Sequence, residues 1–266
     1  MVAELPAARN STPIITAPLH NLLHTLAHTD STMRPMRLDK FVAHATPHSR
    51  SEVRQLLRGG RLQVNGDPVR NAGLILSNTD LVTLDGIPLA LRGPRYFMLN
   101  KPEGVISATE DSTHRTVLDL LHGEDRRDLH IAGRLDIDTT GLVLITDDGQ
   151  WSHRLKAPGR HEKRYRVVTA RPIPDDAADR FAAGLLLRGE EDDPTLPARL
   201  QRLCDCEALV WLQEGRYHQV KRMFAAIGNH VERLHREAVA GIELDPALAP
   251  GEWRALNASE IASGQR

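Results

Sequence analysis

The segment AGRLDIDTTGLVLITDDG, residues 132–149, sets two carboxylates, Asp136 and Asp138, and a guanidinium, Arg134, directly before a strongly apolar run. Burying an unpaired charge costs several kcal/mol, so groups placed here need either a partner or a task. In a regular strand Arg134, Asp136 and Asp138 would share one face. The flanking Gly and Thr residues fit a turn or irregular loop equally well, and in both cases Leu142 to Ile145 continue as a buried strand. Two uses of the carboxylates stay open. Asp136 could cap a turn and pair with Arg134, or it could act as nucleophile, acid or base. If both carboxylates faced one cleft, glycosidase-like or metal-dependent hydrolysis would be a further reading.

The surrounding elements must position these groups. Tyr96 to Leu99 read as an apolar strand that ends at a Lys-Pro turn. Beyond it, LVLIT, KRYRVVTA and ALVWLQEG have strand patterns, and DDAADRFAAGLLL and HQVKRMFAAIG have helical ones. These predict an α+β domain over residues 96–260, preceded by a Gly/Pro linker at 92–95 and followed by a tail at 261–266. The acidic run at 190–193 reads as a solvated turn facing away from any nucleic acid. No repeat of fixed period is present.

Upstream, residues 36–91 read as a smaller unit of helix, turn, helix, strand and hairpin. Ser49 with Glu52 makes a capping box, Gly59-Gly60 ends that helix, and Asn65-Gly66 turns a hairpin. Between Met36 and Gly66 there are six Arg/Lys (37, 40, 50, 54, 58, 61) against two acids (39, 52). Arg50, Arg54 and Arg58 recur every four residues and form one helical stripe, suited to phosphate contact or to a plain solvated face.

The whole chain limits the classes open to it. It has 266 residues, 41% hydrophobic and 26% charged, with net charge −1. That is the composition of a soluble globular protein of two folded units. Nucleic-acid binding must therefore rest on local basic charge. Cys204 and Cys206 would share a strand face and be badly placed to bridge, which predicts buried or half-buried thiols and no disulfide framework. Leu19, Leu22, Leu23 and Leu26 allow a short amphipathic helix near the start. His20, His24 and His28 would share its polar face, without carboxylate or thiol partners for a metal. With no apolar run of spanning length and no signal-like start, a cytoplasmic location is expected.

Two resemblances sharpen this reading. Residues 36 to about 85, carried by RLDKF and the Arg-rich helix after it, resemble the S4 RNA-binding module. GRLDIDTTGLVLITDDG resembles the catalytic motif of the RNA pseudouridine synthases typified by the ribosomal small-subunit enzyme. That likeness continues through GPRYFMLNKP, DDGQWSHR, EKRYRV, EGRYHQVKRMFAAIGNHV, LHRE and LAPGEWR. It implies an S4-like domain followed by a larger catalytic domain built on a mixed or antiparallel sheet.

The resemblance also implies roles. Asp136 would be the catalytic carboxylate, and the family's tolerance at the position of Asp138 argues against a paired-carboxylate mechanism. Tyr165 would stack on the extruded base, its alternative being a core aromatic. Lys221 would pair with Asp136. Lys221 and Arg222 point about 100° apart on a helix, so only one should reach Asp136. Arg37, Lys40, Arg50, Arg54, Arg58, Arg134, Tyr217, His218 and Arg222 are the candidate RNA contacts. The implied substrate is a uridine of 16S rRNA, free or in a small-subunit assembly intermediate. The resemblance implies a monomer with no cofactor, metal or membrane partner. Residues 1–35 precede the equivalent of the family's first residue, and this extension is expected to be poorly ordered. A non-catalytic RNA-binding protein and a carboxylate or metal hydrolase are the competing readings.

Overall fold

The computed structural model describes residues 35–190 and 192–265. The readings on Leu19 to Leu26 and on His20, His24 and His28 lie outside the described residues. The chain divides into two compact units, with the boundary between Gly93 and Pro94.

In the first unit, β1 (Met36–Arg37) leads into α1 (Leu38–Ala45) and α2 (Arg50–Arg58). The α2 start is built as its sequence demands: Ser49 Oγ accepts from the Glu52 amide, and the Glu52 carboxylate accepts from the Ser49 amide. Short strands β2 (Leu62–Val64), β3 (Asp67–Pro68), β4 (Ile75–Leu76), β5 (Val82–Leu84) and β6 (Ile87–Pro88) follow. Leu38, Val42, Val53, Leu57, Leu62 and Val82 close a small apolar core between helices and strands. The charged side of α2 is thereby left to solvent.

The second unit is a nine-stranded mixed sheet. Its elements are β7 (Tyr96–Lys101), β8 (His130–Ile131), β9 (Thr140–Thr146), α3 (Gly149–Lys156), β10 (Lys163–Thr169), α4 (Ala177–Ala183), β11 (Arg199–Cys204), β12 (Glu207–Leu212), α5 (Gln219–Ala226), β13 (Val231–Val239), β14 (Ile242–Glu243), β15 (Trp253–Ala255) and α6 (Ala258–Ser263). The strand order is β11-β12-β10-β13-β9-β7-β15, with β8 paired to β9 and β14 to β13. Among these described strands only the β13–β9 pairing is parallel. Apolar layers cover both faces. Phe181 of α4 and Val220, Met223 and Phe224 of α5 join one core, and Trp151 and Leu155 of α3 join the other.

Several sequence expectations are corrected here. Arg95 is no linker residue: its side chain binds Asp147 at 2.7 Å and the Arg127 carbonyl at 2.8 Å. The expected tail is partly helix, because α6 runs to Ser263 and the Ile261 carbonyl accepts the indole N–H of Trp151 at 3.0 Å. The helix read through GLLL stops at Ala183, where Gly184 takes a left-handed φ of 85° against the Thr195 carbonyl. Cys204 is exposed, since it ends edge strand β11, and only Cys206 is half-buried; both are free thiols.

At the parallel junction, Gly141 of β9 lies opposite Arg236 of β13 with a φ of 102°. A Cβ there would overlap the Arg236 backbone, so the two strands can meet this closely only at a glycine. Gly141→Ala is expected to destabilise the protein by roughly 3 kcal/mol or more, through left-handed strain and overpacking together. Equilibrium denaturation measures this, and a wild-type midpoint would mean that the junction is looser than described.

Candidate active site

The Asp136 segment is neither strand nor free loop. Residues 132–139 run irregularly from β8 to β9, and the carbonyls of Gly133, Arg134, Leu135, Asp136, Ile137 and Thr139 each accept a hydrogen bond. Arg236, only 1% exposed, donates to the carbonyls of Gly133 at 2.9 Å, Arg134 at 3.3 Å and Leu142 at 2.8 Å. Ser107 Oγ donates to the Leu135 carbonyl at 2.8 Å and accepts its amide at 3.0 Å. The Thr139 amide closes a turn on the Asp136 carbonyl at 3.1 Å, and the Gly104 amide reaches Ile137 O at 2.9 Å. Lys101, at 0% exposure, donates to the carbonyls of Thr139 at 2.8 Å, Pro102 at 2.9 Å and Ile137 at 3.2 Å.

Thus pinned, the loop presents Asp136 half-buried, its side chain 29% exposed. Lys221 Nζ, from the first turn of α5, lies 3.2 Å from Asp136 Oδ2 and 2.6 Å from Asp138 Oδ1. Burial opposes the charge on Lys221, but the hydrogen bonds to Asp138 and Asp136 outweigh it and raise its pKa. The same bond holds the Asp138 carboxyl below the usual carboxylate range. His218 Nε2 stands 3.4 Å from Asp136 Oδ1. His218 has a left-handed φ of 47°, strain of the kind that persists where neighbouring structure imposes it. The 77%-exposed Tyr217 stacks on its ring at 3.8 Å.

The sequence-based candidates fare differently. Asp136 does not pair with Arg134; it pairs with Lys221 and His218, and Arg134 is exposed without a side-chain partner among the described residues. Asp138 joins the same cluster and is the nearer partner of Lys221. Of the two neighbouring basic residues only Lys221 reaches Asp136. Arg222 turns to Glu190 Oε1 at 2.6 Å and to the Arg188 carbonyl at 2.9 Å. The run at 190–193 is therefore not simply solvated: Glu190 also binds Arg216 at 2.8 Å, tying this loop to the start of α5. Tyr165 is buried in the same apolar core as Leu135 and Val220, the neighbours of Asp136 and Lys221. Its hydroxyl has no hydrogen-bond partner among the described residues.

In the first unit, Arg50, Arg54 and Arg58 are exposed along α2 and Lys40 is exposed on α1, none with an ion-pair partner among the described residues. Arg37 is engaged, its guanidinium bidentate on Asp39 at 3.1 and 3.0 Å. Sequence reasoning missed Lys101 and Arg236. Their only signal was a place in the NKP and LHRE motifs, far in sequence from the loop that they hold. Among the described residues no group of three or more His, Cys, Asp or Glu could hold a metal ion, and no helix is long and apolar enough to cross a membrane.

Comparison with known proteins agrees with this organisation. The family model for RNA pseudouridylate synthase matches residues 95–226, and that for the S4 domain matches residues 36–82. The chain is 54% identical to ribosomal small subunit pseudouridine synthase A of Escherichia coli strain K12, over 86% of this chain and 99% of that protein. It is 49% identical to the protein of that name from Vibrio cholerae, again over 86% and 99%. A crystal structure of a pseudouridylate synthase matches with a TM-score of 0.63 and 42% identity, over 86% of this chain and 99% of that one.

Burial pushes the Lys101 ammonium down to about 8, although Asp138, Asp136 and Glu103 favour its charge. A lysine in the unfolded chain titrates near ~10.4. Above about 8 the unfolded state thus holds a proton that the folded state has released, so this group makes stability rise with pH until ~10.4, as linkage requires. Lys101→Met should remove part of that rise, seen in chemical denaturation at stepped alkaline pH. An unaltered slope would show that Lys101 titrates normally.

Proposed function

The chain belongs to the RNA pseudouridylate synthase family, and from that premise we propose that it isomerises one uridine of small-subunit 16S ribosomal RNA to pseudouridine. The observation that carries the site assignment is the ion pair between Asp136, on a loop pinned along its backbone, and Lys221 of α5. The substrate assignment draws on the small-subunit relatives, which this chain matches over nearly their whole length.

In this reading the target nucleotide leaves the helical stack to reach a carboxylate that cannot enter a duplex. Its base stacks on Tyr165. The bond between uracil N1 and ribose C1′ breaks, the base turns, and C1′ is rejoined through C5. Asp136 serves as nucleophile or proton acceptor. Lys221 orients it through their ion pair, and His218 steadies its other oxygen. The overall change is an isomerisation and calls for no redox partner, metal or nucleotide cofactor. Asp138 shares Lys221 and so tunes how firmly that lysine holds Asp136, without touching the reacting atoms. The enzyme acts as a monomer in the cytoplasm, on free rRNA or on an assembling particle.

The S4 domain supplies grip. Arg50, Arg54 and Arg58, with Lys40, meet backbone phosphates. Arg134, Tyr217 and His218 contact RNA at the rim of the cleft. Arg37 and Arg222 contribute less, being held by Asp39 and Glu190.

Asp136→Asn preserves size and removes the acting carboxylate. It should abolish pseudouridine formation on 16S rRNA while RNA affinity and melting temperature stay near wild type, whereas Asp138→Asn should retain measurable activity. Substantial product from purified Asp136→Asn, or equal inactivity of the two variants, would overturn the assignment. Replacing Arg50, Arg54 and Arg58 together by Gln should weaken RNA binding and flatten its salt dependence by a log–log slope of ~0.7 per lost single-strand contact. The single-turnover rate at saturating enzyme should change little. Unchanged affinity and salt slope would make the stripe an ordinary solvated face.

A further inference from the structure

Lys163 opens β10 on the same strand face as Tyr165 and is only 8% exposed. It lies opposite Leu212 of β12 and Val239 of β13, while Tyr165 lies opposite Arg236. Two charges bear on it, Arg236 from β13 and Glu214 just beyond β12. The Glu214 carboxylate is already occupied by Gln219 Nε2 at 2.6 Å, the Leu196 amide at 3.0 Å and Arg216 Nε at 3.2 Å. Among the described residues, Lys163 Nζ makes no hydrogen bond and no ion pair. Burial and the like charge of Arg236 push it down to about 8. His161, two residues earlier and also buried, likewise leaves Nε2 without a partner.

A largely buried lysine whose ammonium has no protein partner among the described residues is uncommon, so its place in the fold matters. Arg236 carries the Gly133 and Arg134 carbonyls of the Asp136 loop. Glu214 holds Gln219, the first residue of the helix that bears Lys221. Lys163 therefore sits on the sheet floor between that loop and that helix, beside Tyr165.

We propose that Lys163 contacts the extruded uracil directly and donates a hydrogen bond to a ring carbonyl oxygen. This rests on the reading above that the base stacks on Tyr165. A floor so deeply buried is reached by the base, whereas phosphates stay with the strand outside. An ammonium offers donors only, and uracil offers O2 and O4 on either side of N3. Turning the detached ring about the axis through N3 and C6 exchanges N1 with C5 and, in the same motion, O2 with O4. A donor-only group on the floor thus meets a carbonyl oxygen before and after the turn.

As the C1′–N1 bond breaks, its electron pair leaves with the base and spreads over N1, C5, O2 and O4. Lys163 stabilises that charge without giving up its proton, as fixed donors stabilise an oxyanion. The pair then forms the C1′–C5 bond, C5 releases its proton and N1 takes one up, so the isomerisation balances.

Lys163→Met keeps the chain length and removes the charge. Because no partner is orphaned, its melting temperature should equal or exceed that of wild type. Its single-turnover rate on 16S rRNA should fall by about 100-fold, the scale of losing one such donor. RNA carrying 2-thiouridine or 4-thiouridine at the target supplies the second arm, since sulfur accepts hydrogen bonds poorly. One of these substitutions should slow the wild type and leave Lys163→Met unaffected, the non-additivity of two groups in contact. Thio effects of equal size in both proteins, or a loss of rate that tracks a loss of stability, would overturn the contact. A wild-type protein that forms no pseudouridine in this RNA would overturn the functional reading itself, and the contact with it.

Discussion

Two buried cations that have no carboxylate partner within hydrogen-bonding reach among the described residues, Lys101 and Arg236, hold the backbone of the Asp136 loop by its carbonyls. Burial depresses the pKa of Lys101, and the charges of Asp138, Asp136 and Glu103 offset this only in part. The gain is geometric. A carboxylate partner would neutralise each cation on its own, whereas carbonyl partners bind the loop to β7 and β13. With its carbonyls occupied, the loop cannot refold into a strand alongside β9. Asp136 is thereby presented in one place, against Lys221 of α5.

The charges around Asp136 then fall into separate circuits. Lys221 serves Asp136 and Asp138, and the neighbouring Arg222 and Arg216 are drawn away by Glu190. Glu190 takes up both guanidinium groups, on a side of α5 separate from Lys221. The acidic loop thus neutralises the basic residues that flank Lys221 in sequence. Its cost is a loop fastened to the start of α5, which stiffens the same helix.

The S4 domain follows the opposite rule. Its α2 arginines and Lys40 are left without acidic partners among the described residues, so their charge remains available to an outside anion. A net charge of −1 for the whole chain conceals this, because the acids are spent inside the catalytic domain, on Arg95, Arg164, Arg166, Arg216, Arg254 and others. RNA affinity depends on where unpaired positive charge stands and not on its sum.

Much of this was legible in the sequence because it depends on near neighbours. The α2 capping box, the Asn65-Gly66 turn, the Arg50/Arg54/Arg58 stripe and the burial of β9 each follow from residues within a few positions of one another. The GRLD and HQVKRM motifs point to Asp136 and Lys221 only through the family that they resemble. What the sequence left open depends on residues brought together from afar. Whether Asp136 meets Arg134 or Lys221, whether Asp138 turns away, and which of Lys221 and Arg222 reaches the site were settled only when α5 packed against the sheet. Lys101, Lys163 and Arg236 carry no local pattern that marks them, since a lysine in a strand reads the same whether its ammonium meets water, a carbonyl or nothing. Local periodicity reports which face of an element is buried, and tertiary packing alone decides what that face finds there.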